Sequence, residues 1–302
     1  MNRDRIGIIG FGEAARAFSS GWTRTDGMVL AAYDLKIGSP GTAADISAAC
    51  AALSVEAAED MAAALADAQI VFSLVTADQA EVAAQAAAAS LSPGALYFDC
   101  NSCSPAAKVS SAAAIEGAGG RYVDVAVMSP VHPARHLTPL LLSGPHAEIG
   151  IGVLSGLGMR PKPAGERVGQ ASSIKMLRSV IIKGLEALTA ESLLAARRAG
   201  VEDAVLASLQ ASDPGIDWAK RAAYNLERMI VHGARRAAEM QEVARTLREF
   251  GLPDRLSLAI ADWQDDIAAL ALPPGADDFA QRADAILAGL DERRGPDGTH
   301  EV

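Results

Sequence analysis

Residues 6–15 read Ile-Gly-Ile-Ile-Gly-Phe-Gly-Glu-Ala-Ala: a short apolar run, two glycines one residue apart, then helix-forming residues. The run predicts a buried strand, a tight turn and a helix start, the G-x-G-x-x-G/A arrangement that cradles the pyrophosphate of a dinucleotide. Gly10 permits the turn, Gly12 lets the backbone approach the phosphates, and the small Ala15 lets the helix pack near the strand. Phe11 completes the turn, and the N–H groups at the helix start, around Glu13 and Ala14, face the anion. The Glu13 carboxylate itself is expected to point to solvent at the helix N-terminus.

The context of the turn supports this reading. Ala14, Ala15, Phe18 and Trp22 recur at helical spacing and give one apolar face. A second apolar run, Met28 to Tyr33, ends in Asp34. Its separation from Gly12 is close to the roughly 20 residues expected of the acid that binds the adenosine ribose hydroxyls. A carboxylate there accepts hydrogen bonds from the diol and repels a 2′-phosphate, which favours NAD; Lys36, two residues on, tempers that preference and keeps NADP open. The plainer alternative is that Asp34 only caps a strand end.

Composition narrows the class. With 302 residues, half of them hydrophobic, the chain can bury one large core or two smaller ones. A net charge of −10 without basic clusters argues against nucleic-acid and anionic-membrane partners and leaves a small molecule as the partner to expect. No secretory signal or transmembrane run is visible, and 3 cysteines cannot make a disulfide framework, so a cytoplasmic location is expected.

Strand-like and helix-like segments alternate to about residue 165. Ile70–Val75, Ala95–Asp99, Arg121–Val127 and Leu140–Leu142 read as strands, Asp78–Leu91 as a helix, and Pro105 as the start of another. This alternation implies a Rossmann-type, doubly wound parallel sheet, with ligands beyond the carboxyl ends of the strands. After Gly169 the strand signal stops. Ile174, Leu177, Ile181, Leu185 and Leu188 mark an apolar face on a helix from about Ala171 to Ala199, roughly 40 Å long, with Gly200 as its terminator. The remainder reads as helices, including Trp218–Phe250 and Pro253–Leu270. The expected division is a dinucleotide-binding domain over 1–165, an all-helical domain with the long interdomain helix over 166–292, and a disordered tail over 293–302.

Four segments together resemble the β-hydroxyacid dehydrogenase superfamily, which includes 3-hydroxyisobutyrate and 6-phosphogluconate dehydrogenases: Gly10-x-Gly12-x-x-Ala15, Asp99-Cys100-Asn101-Ser102-x-Ser104-Pro105, Tyr122-Val123-Asp124-Val125-Ala126-Val127 and Gly169-x-Ala171-x-x-x-Lys175. The resemblance covers nearly the whole chain. The stretch Lys175–Val180 followed by Lys183–Leu188 is closer to a divergent branch with a C-terminal helical domain of unassigned function. By resemblance, Lys175 is the general acid or base of hydride transfer, Asn101 and Ser102 supply nicotinamide-side and substrate contacts, and the helical domain makes a homodimer. Val75 and Thr76 occupy the corresponding loop one strand earlier, although Thr76 equally suits a helix cap. Asn101 and Ser102 equally suit capping of the helix at Pro105.

From the residues alone, Lys175, Ser179 and Lys183 fall at i, i+4 and i+8 and line one stripe of the long helix, usually a solvated face. A catalytic lysine needs burial or neighbouring cations, which Arg178 and Lys183 can supply while binding a substrate carboxylate. Two departures from the family matter. Ser179, a candidate catalytic residue beside Lys175, stands where asparagine is usual and can hydrogen-bond with a shorter reach. Met128-Ser129-Pro130 replaces the Ser-Gly-Gly that holds the substrate carboxylate, and proline lacks the N–H such a nest requires. Met128 and Ser129, with His132 in the same loop, remain candidate substrate contacts. No metal is expected, because His132 and His136 lack an evident third ligand, and Cys100-x-x-Cys103 lacks a redox context. Two alternatives to a hydroxyl dehydrogenase stay open: an imine reductase, which often lacks the lysine, and a dinucleotide-sensing regulator without turnover.

Overall fold

The structure is a computed structural model in which residues 5–294 are described. The chain divides into two compact units, one up to Met176 and one from Leu177 onward.

The first unit is built on one eight-stranded sheet. Its strands are β1 (Arg5–Ile9), β2 (Val29–Tyr33), β3 (Glu56–Ala57), β4 (Ile70–Ser73), β5 (Leu96–Asp99), β6 (Arg121–Val127), β7 (Pro139–Ser143) and β8 (Arg160–Gly165). They lie in the order β3-β2-β1-β4-β5-β6-β7-β8. The order reverses at β1, so the turn after β1 opens at a topological switch point, where ligands of such sheets sit. β1 to β6 are parallel; β7 runs antiparallel to β6, and β8 is parallel to β7. The sheet is therefore mostly rather than wholly parallel. The segment between β6 and β7 carries a single 3-10 turn, Arg135–Leu137, and no α-helical crossover that would bring the next strand in parallel. β8 contains Pro161 and Pro163 and occupies an edge, where missing ladder donors are tolerated.

Helices α1 (Glu13–Ser19), α2 (Ala43–Ala52), α3 (Met61–Leu65), α4 (Ala80–Ala88), α5 (Pro105–Gly117) and α6 (Ala147–Gly156) cover the sheet. Alternation along the strands sorts the core into two layers. Ile6, Ile8, Phe72, Phe98 and Val123 join Phe18 and Trp22 in one, while Ile9, Val71, Tyr97 and Tyr122 join Leu65 and Ile115 in the other. Phe72 links its layer, with ring centroids 4.7 Å from Trp22 and 5.1 Å from Phe98.

Helix α7 (Gln170–Ala199) begins in the first unit and continues into the second. Gly200 at φ 70° ends it, in the left-handed conformation a helix terminator requires. The second unit adds α8 (Glu202–Ser212), α9 (Trp218–Glu249), α10 (Arg255–Ala268) and α11 (Phe279–Arg294). Leu193, Leu194, Leu226, Met229, Ile267 and Ile286 form its core, and Trp263 packs against it. Arg293 and Arg294 belong to α11 rather than to a tail; residues 295–302 lie outside the described residues.

One expectation inverts. The apolar stripe of α7 is exposed, from 42% at Leu177 to 64% at Ile181, and its polar stripe is buried, with Ser179, Lys183 and Glu186 inside. The reason is electrostatic pairing. Lys183 Nζ donates to Glu239 Oε2 at 2.6 Å, and Arg236 donates to both oxygens of Glu186, so the inward polar groups are satisfied by residues on α9.

Candidate functional site

The glycine turn is held from both sides. Gly10 N–H donates to Tyr33 O at 2.8 Å, and Gly10 adopts φ 84°. A Cβ on Gly10 would meet Leu74 O at 2.5 Å, so only glycine fits between the ends of β1 and β4. A Cβ on Gly12 would meet nothing within 4 Å, which leaves the backbone open on the side where a phosphate would approach. Phe11 and Ala15 are fully buried, Ala14 is half-buried, and Glu13 is exposed as expected. Arg16 closes the back of the turn by donating from Nε to Phe11 O at 2.9 Å.

Asp34 is held by two backbone donors. Its Oδ2 accepts from Phe11 N–H at 2.8 Å, and its Oδ1 accepts from Lys36 N–H at 2.9 Å. The first bond ties β2 to the glycine turn, and the second caps the 3-10 turn Leu35–Gly38. Each carboxylate oxygen keeps a further lone pair for a diol. The turn and Asp34 therefore fit the pyrophosphate and ribose of a dinucleotide.

The loops after β4 and β5 are joined by Asn101, which is buried. Its Oδ1 accepts from Val75 N–H at 2.7 Å, its Nδ2 donates to Ser73 Oγ at 2.9 Å, and its own N–H donates to Asp99 Oδ1 at 3.0 Å. Asn101 is thus a strut between loops. The cap of α5 is Ser104, whose Oγ accepts from Ala107 N–H at 3.3 Å, so neither Asn101 nor Ser102 fills that role. Thr76 is exposed and precedes the 3-10 turn Ala77–Gln79, as its capping alternative anticipates, though its side chain makes no cap bond there.

Ser102 meets the start of α7. Lys175 Nζ donates to Ser102 Oγ at 2.5 Å, a contact between a helix lysine and the loop at the carboxyl end of β5. Other candidates are not drawn in this way. Lys183 lies two turns further along α7, and its charge is neutralised by Glu239. Burial lowers its pKa below lysine's usual value, and Glu239 only partly offsets this. That removes it as a free cation for substrate. Ser179 is buried and Arg178 is exposed. Met128 donates its N–H to Pro139 O at 3.0 Å, while Ser129 and Pro130 are exposed. His132 is exposed, and His136 packs instead against Gly21, where a Cβ would strike its ring. Cys50, Cys100 and Cys103 are buried and not joined in disulfides, and burial pushes Cys100 up to about 12, which keeps it protonated at neutral pH.

A further cluster lies beneath these loops. Asp99 and Asp124 are cross-strand partners on β5 and β6, and both are fully buried. Lys108 of α5, also fully buried, donates to Asp99 Oδ1 at 2.8 Å and stands 3.5 Å from Asp124 Oδ1. Lys108 reads in sequence as an ordinary lysine on an alanine-rich helix. The available signal was an aspartate inside the otherwise apolar strand Tyr122–Val127, which demands a buried partner.

Comparison with known proteins places this arrangement. Residues 5–102 match the family described as NADP oxidoreductase, coenzyme F420-dependent, and residues 196–267 match a domain of unknown function. A conserved hypothetical protein from Sinorhizobium meliloti is 38% identical, with 95% of this chain and 97% of that one covered at a TM-score of 0.77. A conserved protein of unknown function, described as structurally similar to 3-hydroxyacid dehydrogenases, is 31% identical over 89% of this chain and 100% of its own, with a TM-score of 0.69. The chain belongs to a β-hydroxyacid dehydrogenase-like family with a helical C-terminal region. The fold of this family is shared by 3-hydroxyisobutyrate dehydrogenase from Mycobacterium tuberculosis, at 17% identity, a TM-score of 0.73, and 94% and 99% of the two chains. Among curated proteins, an uncharacterized 28.5 kDa protein from Methanothermus fervidus is 26% identical over 157 residues, and the match spans 60% of that protein's length.

Proposed function

We propose that this protein is an NAD(P)-dependent oxidoreductase that moves a hydride between the nicotinamide and a hydroxyl or carbonyl carbon of a small, anionic substrate, with Lys175 as the general acid or base. The observation that carries the reading is the Lys175–Ser102 hydrogen bond, which sets the lysine amino group at the carboxyl end of β5, beside the loops where a doubly wound sheet binds its ligands. Gly10, Gly12 and the N–H groups at Glu13 and Ala14 would hold the pyrophosphate, and Asp34 would hold the ribose. Bound NAD(P) supplies a hydride acceptor or donor at nicotinamide C4. Oxidation of a carbinol releases a proton from the hydroxyl oxygen, and neutral Lys175 Nζ takes it up; reduction of a carbonyl runs the same transfer backwards. Ser102 Oγ holds Nζ in place while this happens. With Pro130 unable to donate a backbone N–H, Arg178, exposed three residues after Lys175, is the group for a substrate carboxylate.

The exposed stripe Ile181, Leu185 and Leu188 supports a homodimer through the helical region, because large apolar side chains aligned on one helix face are a typical interaction surface. Three buried cysteines outside any disulfide suit a reducing cytoplasm.

Replacing Lys175 by alanine is expected to lower turnover by about 10²–10⁴-fold, the usual contribution of a positioned acid or base. NAD(H) affinity, followed by nucleotide fluorescence, is expected to stay unchanged. Full residual activity on a panel of hydroxyacids, aldehydes and imines would remove the reading. Activity confined to imines would replace it with C=N reduction, and cofactor binding without turnover on any of them would point to a redox-sensing regulator.

A further inference from the structure

The buried cluster beneath the site joins the two elements that bring Lys175 and Ser102 together. On one side, Lys108 Nζ donates to Asp99 O at 2.7 Å and to Asp99 Oδ1 at 2.8 Å. Asp99 Oδ1 also accepts from Asn101 N–H at 3.0 Å, and Oδ2 accepts from Tyr122 OH at 2.7 Å. These bonds fix the backbone of the loop that presents Ser102. On the other side, Asp124 holds the start of α7. Its Oδ2 accepts from Gly169 N–H and Ser172 N–H, both at 3.1 Å, and from Ser143 Oγ at 2.9 Å, while its Oδ1 accepts from Ser172 Oγ at 2.7 Å. Ser143 Oγ in turn accepts from Ala171 N–H at 2.9 Å. Lys175 follows Ser172 by one turn of the same helix.

Two acidic side chains on neighbouring strands, both without solvent, call for a cation beside them. Lys108 stands against both, at 2.8 Å and 3.5 Å. Burial alone would lower its pKa, but Asp99, Cys103 and Asp124 together outweigh burial and hold it charged. Lys108 thus sits between two carboxyl groups that both accept hydrogen bonds from backbone N–H groups.

We propose that Lys108 is a positioning residue for the Lys175–Ser102 pair: one buried ammonium locks the loop after β5 to the first turn of α7 through Asp99 and Asp124. The inference rests on the catalytic reading of Lys175 for its effect on turnover, but not for its effect on structure. Amide hydrogen exchange separates the two. In Asp124→Asn, exchange at Gly169 and Ser172 should speed up about tenfold or more, because their acceptor is weakened. Exchange at Asn101 should speed up with them, because Lys108 transmits the change. Loosening of the helix start alone would overturn the proposal and leave a local cap. Lys108→Met should loosen both segments together, and an unchanged rate at either would overturn it; should that variant not fold, Asp124→Asn decides. In whichever of these variants folds, kcat should fall at least about tenfold while the dissociation constant of NADH stays within about twofold. Unchanged kcat in a variant whose two segments have both loosened would overturn positioning. If Lys175→Ala proves fully active, the kcat arm fails with the catalytic reading, and the exchange pattern still decides the link.

Discussion

Two networks of buried charge, one in each unit, are anchored differently. In the first, Lys108 stands against Asp99 and Asp124, and the two carboxyls also accept from the N–H groups of Asn101, Gly169 and Ser172. In the second, Glu186 is met by Arg236 and by Gln264 Nε2 at 2.8 Å, and Lys183 by Glu239, with every partner a side chain. A network that ends on backbone amides fixes where the chain runs, so it can aim loops and a helix start. One that ends on side chains only fastens helix to helix. The first kind should resist replacement as a whole, and the second should tolerate it.

The largest effect should come from breaking the second network halfway. Arg236→Met leaves Glu186 buried and unpaired, and is expected to cost about 3–5 kcal/mol of stability in denaturant unfolding, the usual penalty for stranding a buried charge. Replacing the whole set, Glu186→Leu, Arg236→Met and Gln264→Leu together, should recover most of that loss, because apolar residues of similar volume often serve as well as a buried ion pair. The matching replacement in the first unit, Asp99→Leu with Lys108→Met, should not recover. Asn101 N–H and Tyr122 OH would be left without acceptors, at about 1–3 kcal/mol each. Equal recovery in both units would erase the distinction between backbone-anchored and side-chain-anchored networks.

The same contrast explains what the sequence made legible. The glycine turn, Pro105 at the start of α5, and Gly200 at the end of α7 could be read because each answers a local backbone demand that one residue type satisfies. The resemblance supplied Lys175 and Ser102 separately, and the structure adds their contact. The inward face of α7 could not be read. Its apolar and polar stripes both have helical spacing, and what turns the polar one inward is Glu239 and Arg236, about 50 residues away on another helix. Lys108 was hidden for a similar reason: its burial follows from the register that sets Asp99 beside Asp124. Leu140–Leu142 was legible as a strand but its antiparallel direction was not, and β8 escaped because Pro161 and Pro163 mask the strand pattern.

The smallest effect is also the cleanest separation of the two networks, because the two buried lysines titrate in opposite directions. Lys108 is raised: burial opposes its charge, but Asp99, Cys103 and Asp124 more than compensate. Its contribution to stability is therefore complete below the unfolded value near 10.4 and is lost only as pH climbs beyond that through the folded value. Lys183 is lowered, because burial outweighs Glu239. Between its folded value and about 10.4 the unfolded chain binds more protons than the folded one, so stability rises with pH across that window. Unfolding by denaturant from pH 7 to 10 should then show wild type gaining on Lys183→Met as pH rises. The difference between wild type and a folded Lys108→Met should stay flat over the same range. A flat difference at Lys183 would mean that Glu239 fully compensates its burial, and a sloping one at Lys108 would mean that the two aspartates do not hold their cation as tightly as 2.8 Å and 3.5 Å contacts imply.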